Sequence, residues 1–288
     1  MDAELELCWG TVMQAGFADL VDAAGAAGFQ AITVNPDQVL SPGFAASEVR
    51  ARLADAGLRV SNLDALVSVL PGLPSAEFIE SYGTYGTGVD IRRGFELTED
   101  DFYRAAELTG AESINLVHFL CDPATPLEAI ADAAGGLARR ASAHGLRAVF
   151  EFLPDTGVPD IATAARLVRM ADEPNLAIML DTRHLARSGG TAGDAAQYAA
   201  LVGATQVSDL RWATRDAPDR LLPGDGDLAL EAMMAPVRAA VPHVAVGIEV
   251  FSTELFALSP REAALRAAVS LRGLVERMDA GSHGGAAR

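Results

Sequence analysis

A chain of 288 residues, 50% of them hydrophobic and with a mean hydropathy of +0.20, carries enough apolar mass for one large core. That length is generous for a single domain unless the domain is an α/β barrel. A net charge of -17 and a pI near 4.6 repel phosphate backbones and anionic lipid, which argues against nucleic acid and membrane surfaces as partners.

The start, MDAELELCWG, has no basic segment leading into an apolar one, and no later stretch offers the roughly 18 uninterrupted apolar residues of a membrane span. Cys8 and Cys121 are far apart and outside any Cys-x-x-Cys spacing, so neither a disulfide framework nor a thiolate zinc site is expected. A cytoplasmic location fits both readings.

Short apolar runs alternate with amphipathic stretches along the whole chain. The predicted strands are LELCWG (5–10), QAITVN (30–35), LRVSNLD (58–64), SINLVHF (113–119), RAVFEFL (147–153), LAIMLD (176–181), TQVSDLRW (205–212) and VAVGIEVF (244–251). Between and after them lie predicted helices at 17–28, 45–57, 98–110, 127–145, 160–172, 194–203, 227–241 and 260–278. Five of these end on a glycine, Gly28, Gly57, Gly110, Gly145 or Gly203, as expected of helices that close with a left-handed residue.

Eight βα units predict a single (β/α)8 TIM barrel over residues 1–279. A doubly wound open sheet would more often carry GxGxxG after its first strand, and none follows LELCWG. No GxxxxGK[ST] or Gly-x-Ser-x-Gly pattern occurs either, which weakens NTPase and serine hydrolase readings. Residues 66–96, rich in Gly and Pro, break the rhythm after the third strand and are read as an insertion on the active face, with a floppy connection or a dimer contact as the competing readings. The end, 280–288, lacks apolar periodicity and is expected to be disordered.

Strand ends on the carboxyl side of such a barrel converge on one site. Strand five ends with Glu151, strand six with Asp181, strand seven with Gln206 and Asp209, and strand eight with Glu249. Taken singly, each acid is equally readable as an ion-pair partner of an arginine, and Asp181 also as the cap of a turn. Taken together, three carboxylates among apolar neighbours are very costly without a counter-charge, and a divalent cation removes that cost. Oxygen donors suit manganese or magnesium, with cobalt or zinc still compatible.

These residues and their surroundings, EF at Glu151, DTRH at Asp181 to His184, QVSD at Gln206 to Asp209, RLLPGDGDL at Arg220 to Leu228 and IEVF at Ile248 to Phe251, resemble the xylose isomerase-like barrels. That sugar phosphate isomerase/epimerase group includes inosose and hydroxypyruvate isomerases and 3-dehydroshikimate dehydratases. The resemblance covers the C-terminal half closely and the N-terminal half mainly in rhythm.

It implies that Glu151, Asp181, Gln206 and Glu249 bind one divalent metal. It further implies that His184 contacts substrate or lies just outside the metal's ligands, and that Arg220 reaches an anionic or hydroxylated substrate. Many members carry histidine where this chain has Gln206. Within PGDGDL, Asp227 is placed to cap the following helix.

A metal at a barrel mouth can polarise the carbonyl of a small polyhydroxy keto substrate and stabilise the enediolate left by a departing proton. Glu151 and Glu249, on separated strands, can then serve as base and acid. Returning the proton to the other face epimerises, returning it to the next carbon isomerises, and expelling a β-hydroxyl dehydrates.

The expected activity is a metal-dependent isomerase or epimerase of a keto sugar, keto cyclitol or hydroxy keto acid, with a dehydratase on the same site as the alternative. A barrel surviving only as a binding subunit fits less well, because the carboxylate set is intact. An abasic-site endonuclease is disfavoured by the acidity of the chain. Trp9, His118, Arg211, Trp212 and Arg215 could frame the substrate and read equally as packing or loop charge, and a homo-oligomer is compatible with the sequence.

Overall fold

The computed structural model describes residues 3–82, 84–85, 89–90 and 92–284. Eight parallel strands form the barrel wall: β1 (Leu5–Leu7), β2 (Ala31–Val34), β3 (Arg59–Leu66), β4 (Ser113–Val117), β5 (Arg147–Glu151), β6 (Leu176–Asp181), β7 (Val202–Gln206) and β8 (Val246–Ile248). They pair in chain order, with β8 beside β1. A parallel bridge between Val207 and Ile248 closes the ring, with Val207 donating to the Gly247 carbonyl at 2.8 Å and Glu249 donating back to Val207 at 3.0 Å. The closure needs a glycine at 247, because a Cβ there would lie 2.3 Å from the Thr205 carbonyl oxygen.

Strands buried on both faces are continuous apolar runs, and β2 and β4 are buried at every position. The main surrounding helices are α1 (Phe17–Ala27), α2 (Ala46–Asp55), α3 (Glu99–Thr109), α4 (Leu127–Ser142), α5 (Ile161–Ala171), α6 (Ala192–Tyr198), α7 (Leu230–Ala240) and α8 (Pro260–Gly284). In α8 the buried positions Ala263, Ala264, Ala267, Ala268, Leu271, Leu274 and Met278 recur at helical spacing, and this small-residue face packs on α1. Thr98 and Asp101 form a capping box on α3, and Thr191 and Asp194 one on α6.

Gly28, Gly57, Gly110 and Gly145 all have positive φ and end helices as expected. Gly203 does not: it lies inside β7, where a Cβ would stand 2.6 Å from that of Ala177 on β6. The expected helix over 194–203 therefore stops early, at Tyr198, and a 3-10 turn over Ala199–Leu201 leads into the strand.

Asp227 is not the cap of α7, whose N-cap is Ala229 with no side-chain bond; the Asp227 carboxylate instead accepts from the Trp212 amide at 2.9 Å. The PGDGDL turn is held by Asp209, which accepts from the amides of Gly224, Gly226 and Leu228 at 3.0–3.1 Å.

The 66–96 stretch contains a helix over Ala76–Tyr82, a two-stranded ribbon of Thr84–Tyr85 with Val89–Asp90, and a helix over Arg92–Glu96. Residues 83, 86–88 and 91 of it lie outside the described residues. Helix α8 runs across the boundary expected at 280, and residues 285–288 lie outside the described residues. No helix among the described residues is long and apolar enough to cross a membrane.

Candidate metal centre and active site

The C-terminal mouth of the barrel opens into a cavity of about 390 Å³ whose lining includes Glu151, His184, Arg220 and Glu249. Its other walls are largely apolar, with Val67, Phe95, Phe119, Leu153 and Phe251 among them. Phe95 and Arg93 come from the 66–96 stretch, so that part of it borders this cavity. Arg93 is tied to the barrel by its bond to Asp37 at 2.8 Å.

All six residues expected at the site are buried and gather here, with Asp181 and Gln206 fully enclosed. Asp181 fulfils both readings of the strand end. Its Oδ1 caps the short helix Thr182–Arg187 by accepting from the His184 amide at 2.8 Å, and its Oδ2 accepts from Arg220 Nη1 at 2.7 Å. The short helix carries the His184 ring to Glu151, Nε2 standing 3.2 Å from Oε1. Arg220 also donates to Glu249 Oε2 at 3.0 Å, and its guanidinium sits 4.7 Å from the centre of the Phe251 ring. Gln206 Nε2 donates to Glu249 Oε1 at 3.1 Å.

Two participants escaped the reading of strand ends. Asp64 on β3 is buried, accepting from Asn115 at 2.7 Å, and from Trp9 Nε1 and Gln206 Nε2 at 3.3 Å each. Asn115 on β4 donates also to Glu151 Oε2 at 2.7 Å. Asp64 ends the predicted third strand, so the rule applied to strands five to eight would have found it. Asn115 sits in the middle of its strand, SINLV, rather than at its end, and that rule gives no signal for it.

Trp9 lines the cavity, whereas His118 is a packing residue, its ring bridging the Pro71 carbonyl and the Gly157 amide at 3.0 and 3.2 Å. Arg211, Trp212 and Arg215 are exposed and do not line this cavity.

The site holds four acids, Asp64, Glu151, Asp181 and Glu249, and Arg220 is the arginine bonded to two of them. Burial raises the Asp64 carboxyl to about 7, with Glu151 adding to the effect. Burial also pushes Glu249 well above the usual range, and Arg220 offsets only part of it. At Asp181 burial acts the same way, but Arg220, followed by His184, overrides it and holds the carboxyl below its ordinary value.

A divalent cation fits this donor set. Glu151, Asp181 and His184 each offer a ligand atom within 4.8 Å of the others. Gln206 Oε1 and His184 Nδ1 are buried with no hydrogen-bond partner among the described residues. Glu249 stands outside that triad, its carboxylate engaged by Arg220 and Gln206.

Acidic and amide side chains converging at the C-terminal mouth of a closed parallel barrel define a TIM-barrel protein with a candidate metal centre. The family model described as xylose isomerase-like TIM barrel matches residues 18–273, and the chain belongs to that family. Among solved structures, a xylose isomerase-like TIM barrel/4-hydroxyphenylpyruvate dioxygenase fusion protein is similar at 19% identity and a TM-score of 0.78 over 96% of this chain, which spans only 44% of that one.

The IolI protein with a binding zinc atom is similar at 16% identity and a TM-score of 0.78, over 96% of this chain and 99% of that one. D-psicose 3-epimerase with D-tagatose, from Clostridium cellulolyticum H10, is similar at 13% identity and a TM-score of 0.69, over 96% and 99%. At these identities the likeness speaks for the fold. No curated protein matches the sequence.

Proposed function

We propose that the chain is a divalent-metal-dependent isomerase or epimerase that moves a proton next to the carbonyl of a keto sugar, keto cyclitol or hydroxy keto acid. The observation that carries this reading is the convergence of Glu151, Asp181, Gln206 and Glu249, from four consecutive strands, beside one cavity. These four residues would hold the ion, manganese or magnesium by their oxygen chemistry, with His184 beside them. A bound cation supplies Lewis-acid polarisation of the carbonyl.

The chain's own groups supply the proton transfers. Glu151 is oriented by Asn115 on one oxygen and His184 on the other, and Glu249 by Gln206 and Arg220. Standing at the end of β5 and directly after β8, and both lining the cavity, they are suited to act as base and acid on different faces of one substrate. Arg220 is placed to bind an anionic or hydroxylated group, and Phe95, Phe119 and Phe251 offer apolar surface to a substrate's carbon skeleton.

A dehydratase is the second reading, favoured by one observation: the His184 ring beside Glu151 is positioned to protonate a departing hydroxyl.

The test is metal content of the purified protein, then incubation of the manganese form with keto sugars and keto cyclitols in D2O under proton NMR. Exchange of one carbon-bound proton together with a new epimer or isomer is expected. Loss of water to a conjugated product would promote the second reading, and a protein that binds no metal would overturn both.

A further inference from the structure

Between the two candidate catalytic glutamates runs a continuous chain of hydrogen bonds: Glu151 Oε2 to Asn115, Asn115 to Asp64, Asp64 to Gln206, and Gln206 to Glu249 Oε1. Asp64 is its centre, 4% exposed and acceptor to three donors from β4, β7 and the segment after β1.

The Gln206 amide nitrogen sits between two carboxylates, 3.3 Å from Asp64 Oδ2 and 3.1 Å from Glu249 Oε1. With both acids ionised, as beside a bound cation, turning the amide over would set Oε1 against them, two repulsions in place of two bonds. The orientation is therefore locked, and Oε1 is left buried without a hydrogen-bond partner among the described residues. An unsatisfied buried acceptor is costly, and a cation on that oxygen removes the cost.

We propose that Asp64 is a positioning residue: it fixes the Gln206 amide with its oxygen presented to the metal, and steadies Glu151 through Asn115. The assignment rests on the metal-dependent reading above. It explains how an amide serves as ligand on this barrel without rotating its nitrogen into the ion, and why a fourth acid is buried at a centre that does not use it as a ligand.

Comparison of Asp64→Asn with Asp64→Leu tests it. Both variants lose the charge, so any purely electrostatic contribution to cation binding falls equally in each; asparagine keeps an acceptor oxygen for Gln206, and leucine does not. Manganese affinity, read by EPR titration, is expected to weaken modestly in the first and by about tenfold or more beyond that in the second, the scale of lost supporting contacts around metal ligands.

Equal affinities in the two variants would overturn the role of Asp64 while leaving metal binding intact. A wild-type protein that binds no manganese would overturn the metal reading itself, and this assignment with it.

A second readout does not depend on the leucine variant folding. The Gln206 side-chain NH2 protons, assigned by their absence in Gln206→Glu, should keep hydrogen-bonded shifts and slow exchange when magnesium is added. Their release on magnesium binding would contradict the proposal.

Discussion

Arg220 Nη1 lies 2.7 Å from Asp181 Oδ2 and 3.0 Å from Glu249 Oε2, so one buried cation is shared by carboxylates from two sides of the barrel mouth. The two acids respond differently. Asp181, paired also with His184, is held below its ordinary pKa against its burial, whereas Glu249 is pushed well above it by burial and by Asp64 and Glu151. A single guanidinium thus neutralises part of a cluster that a divalent ion would complete.

Arg220→Met separates the two sources of positive charge. It keeps apolar bulk near Phe251 but leaves buried carboxylates unpaired, and breaking a buried pair costs roughly 3–5 kcal/mol. The metal-free variant should unfold at lower urea than wild type by that margin. Manganese should recover a larger share of stability in the variant than in wild type. An equal deficit in EDTA and in manganese would contradict a common role for the arginine and the ion.

Glu249→Gln addresses the chemistry. The amide preserves size but can neither take nor deliver a proton as the acid does, and a positioned acid or base contributes about 10²–10⁴-fold. Turnover and solvent deuterium exchange should fall by that range. A variant that folds, binds manganese and exchanges at the wild-type rate would remove Glu249 from the proton transfer.

Much of this site could be read before any fold was known, because strands buried on both faces make a terminal acid conspicuous: Glu151, Asp181 and Glu249 each follow an unbroken apolar run. What could not be read is which residues distant in the chain meet; Asp64 itself closes the third predicted strand and was open to the same rule, but its partner was not. Asp64 meets Gln206 across 142 positions, and Asn115 becomes meaningful only once β3, β4 and β5 lie side by side. The cap expected of Asp227 on the helix after this turn fails for the same reason, since its carboxylate accepts from the Trp212 amide instead. Asp227 has the right spacing for a cap, but Asp209, on the far side of the loop, gathers the amides.

Gly203 was legible as a break but not as to its kind, since a helix-ending glycine and a glycine at a crowded strand start look alike in sequence. Its place in β7 makes a specific prediction. Gly203→Ala puts a Cβ 2.6 Å from that of Ala177 and 3.2 Å from Val149 Cγ1, an overpacking worth about 1–3 kcal/mol in urea unfolding. Adding Ala177→Gly should restore part of the loss, and a double variant no more stable than Gly203→Ala alone would point away from that contact.

The other end of the barrel carries a pH dependence of its own. Glu6 on β1 is 4% exposed beside a separate cavity of about 550 Å³, lined also by Arg59, Ser61 and Asn62. Burial raises its carboxyl to about 7, with the Ser61 hydroxyl and Arg59 offsetting only part. In the unfolded chain the same group titrates near its ordinary value of about 4.3.

Between those values the folded protein keeps a proton that the unfolded chain releases. Stability from this group is therefore full below the unfolded pKa and is lost as pH rises through about 7, at roughly 1.4 kcal/mol per pH unit. Asp64, raised to a similar value, adds to the slope in metal-free protein. Glu6→Gln should remove the Glu6 part, so that the variant gains on wild type from pH 5 to pH 8 in urea unfolding with EDTA present, and parallel curves across that range would show that Glu6 does not titrate differently in the folded state.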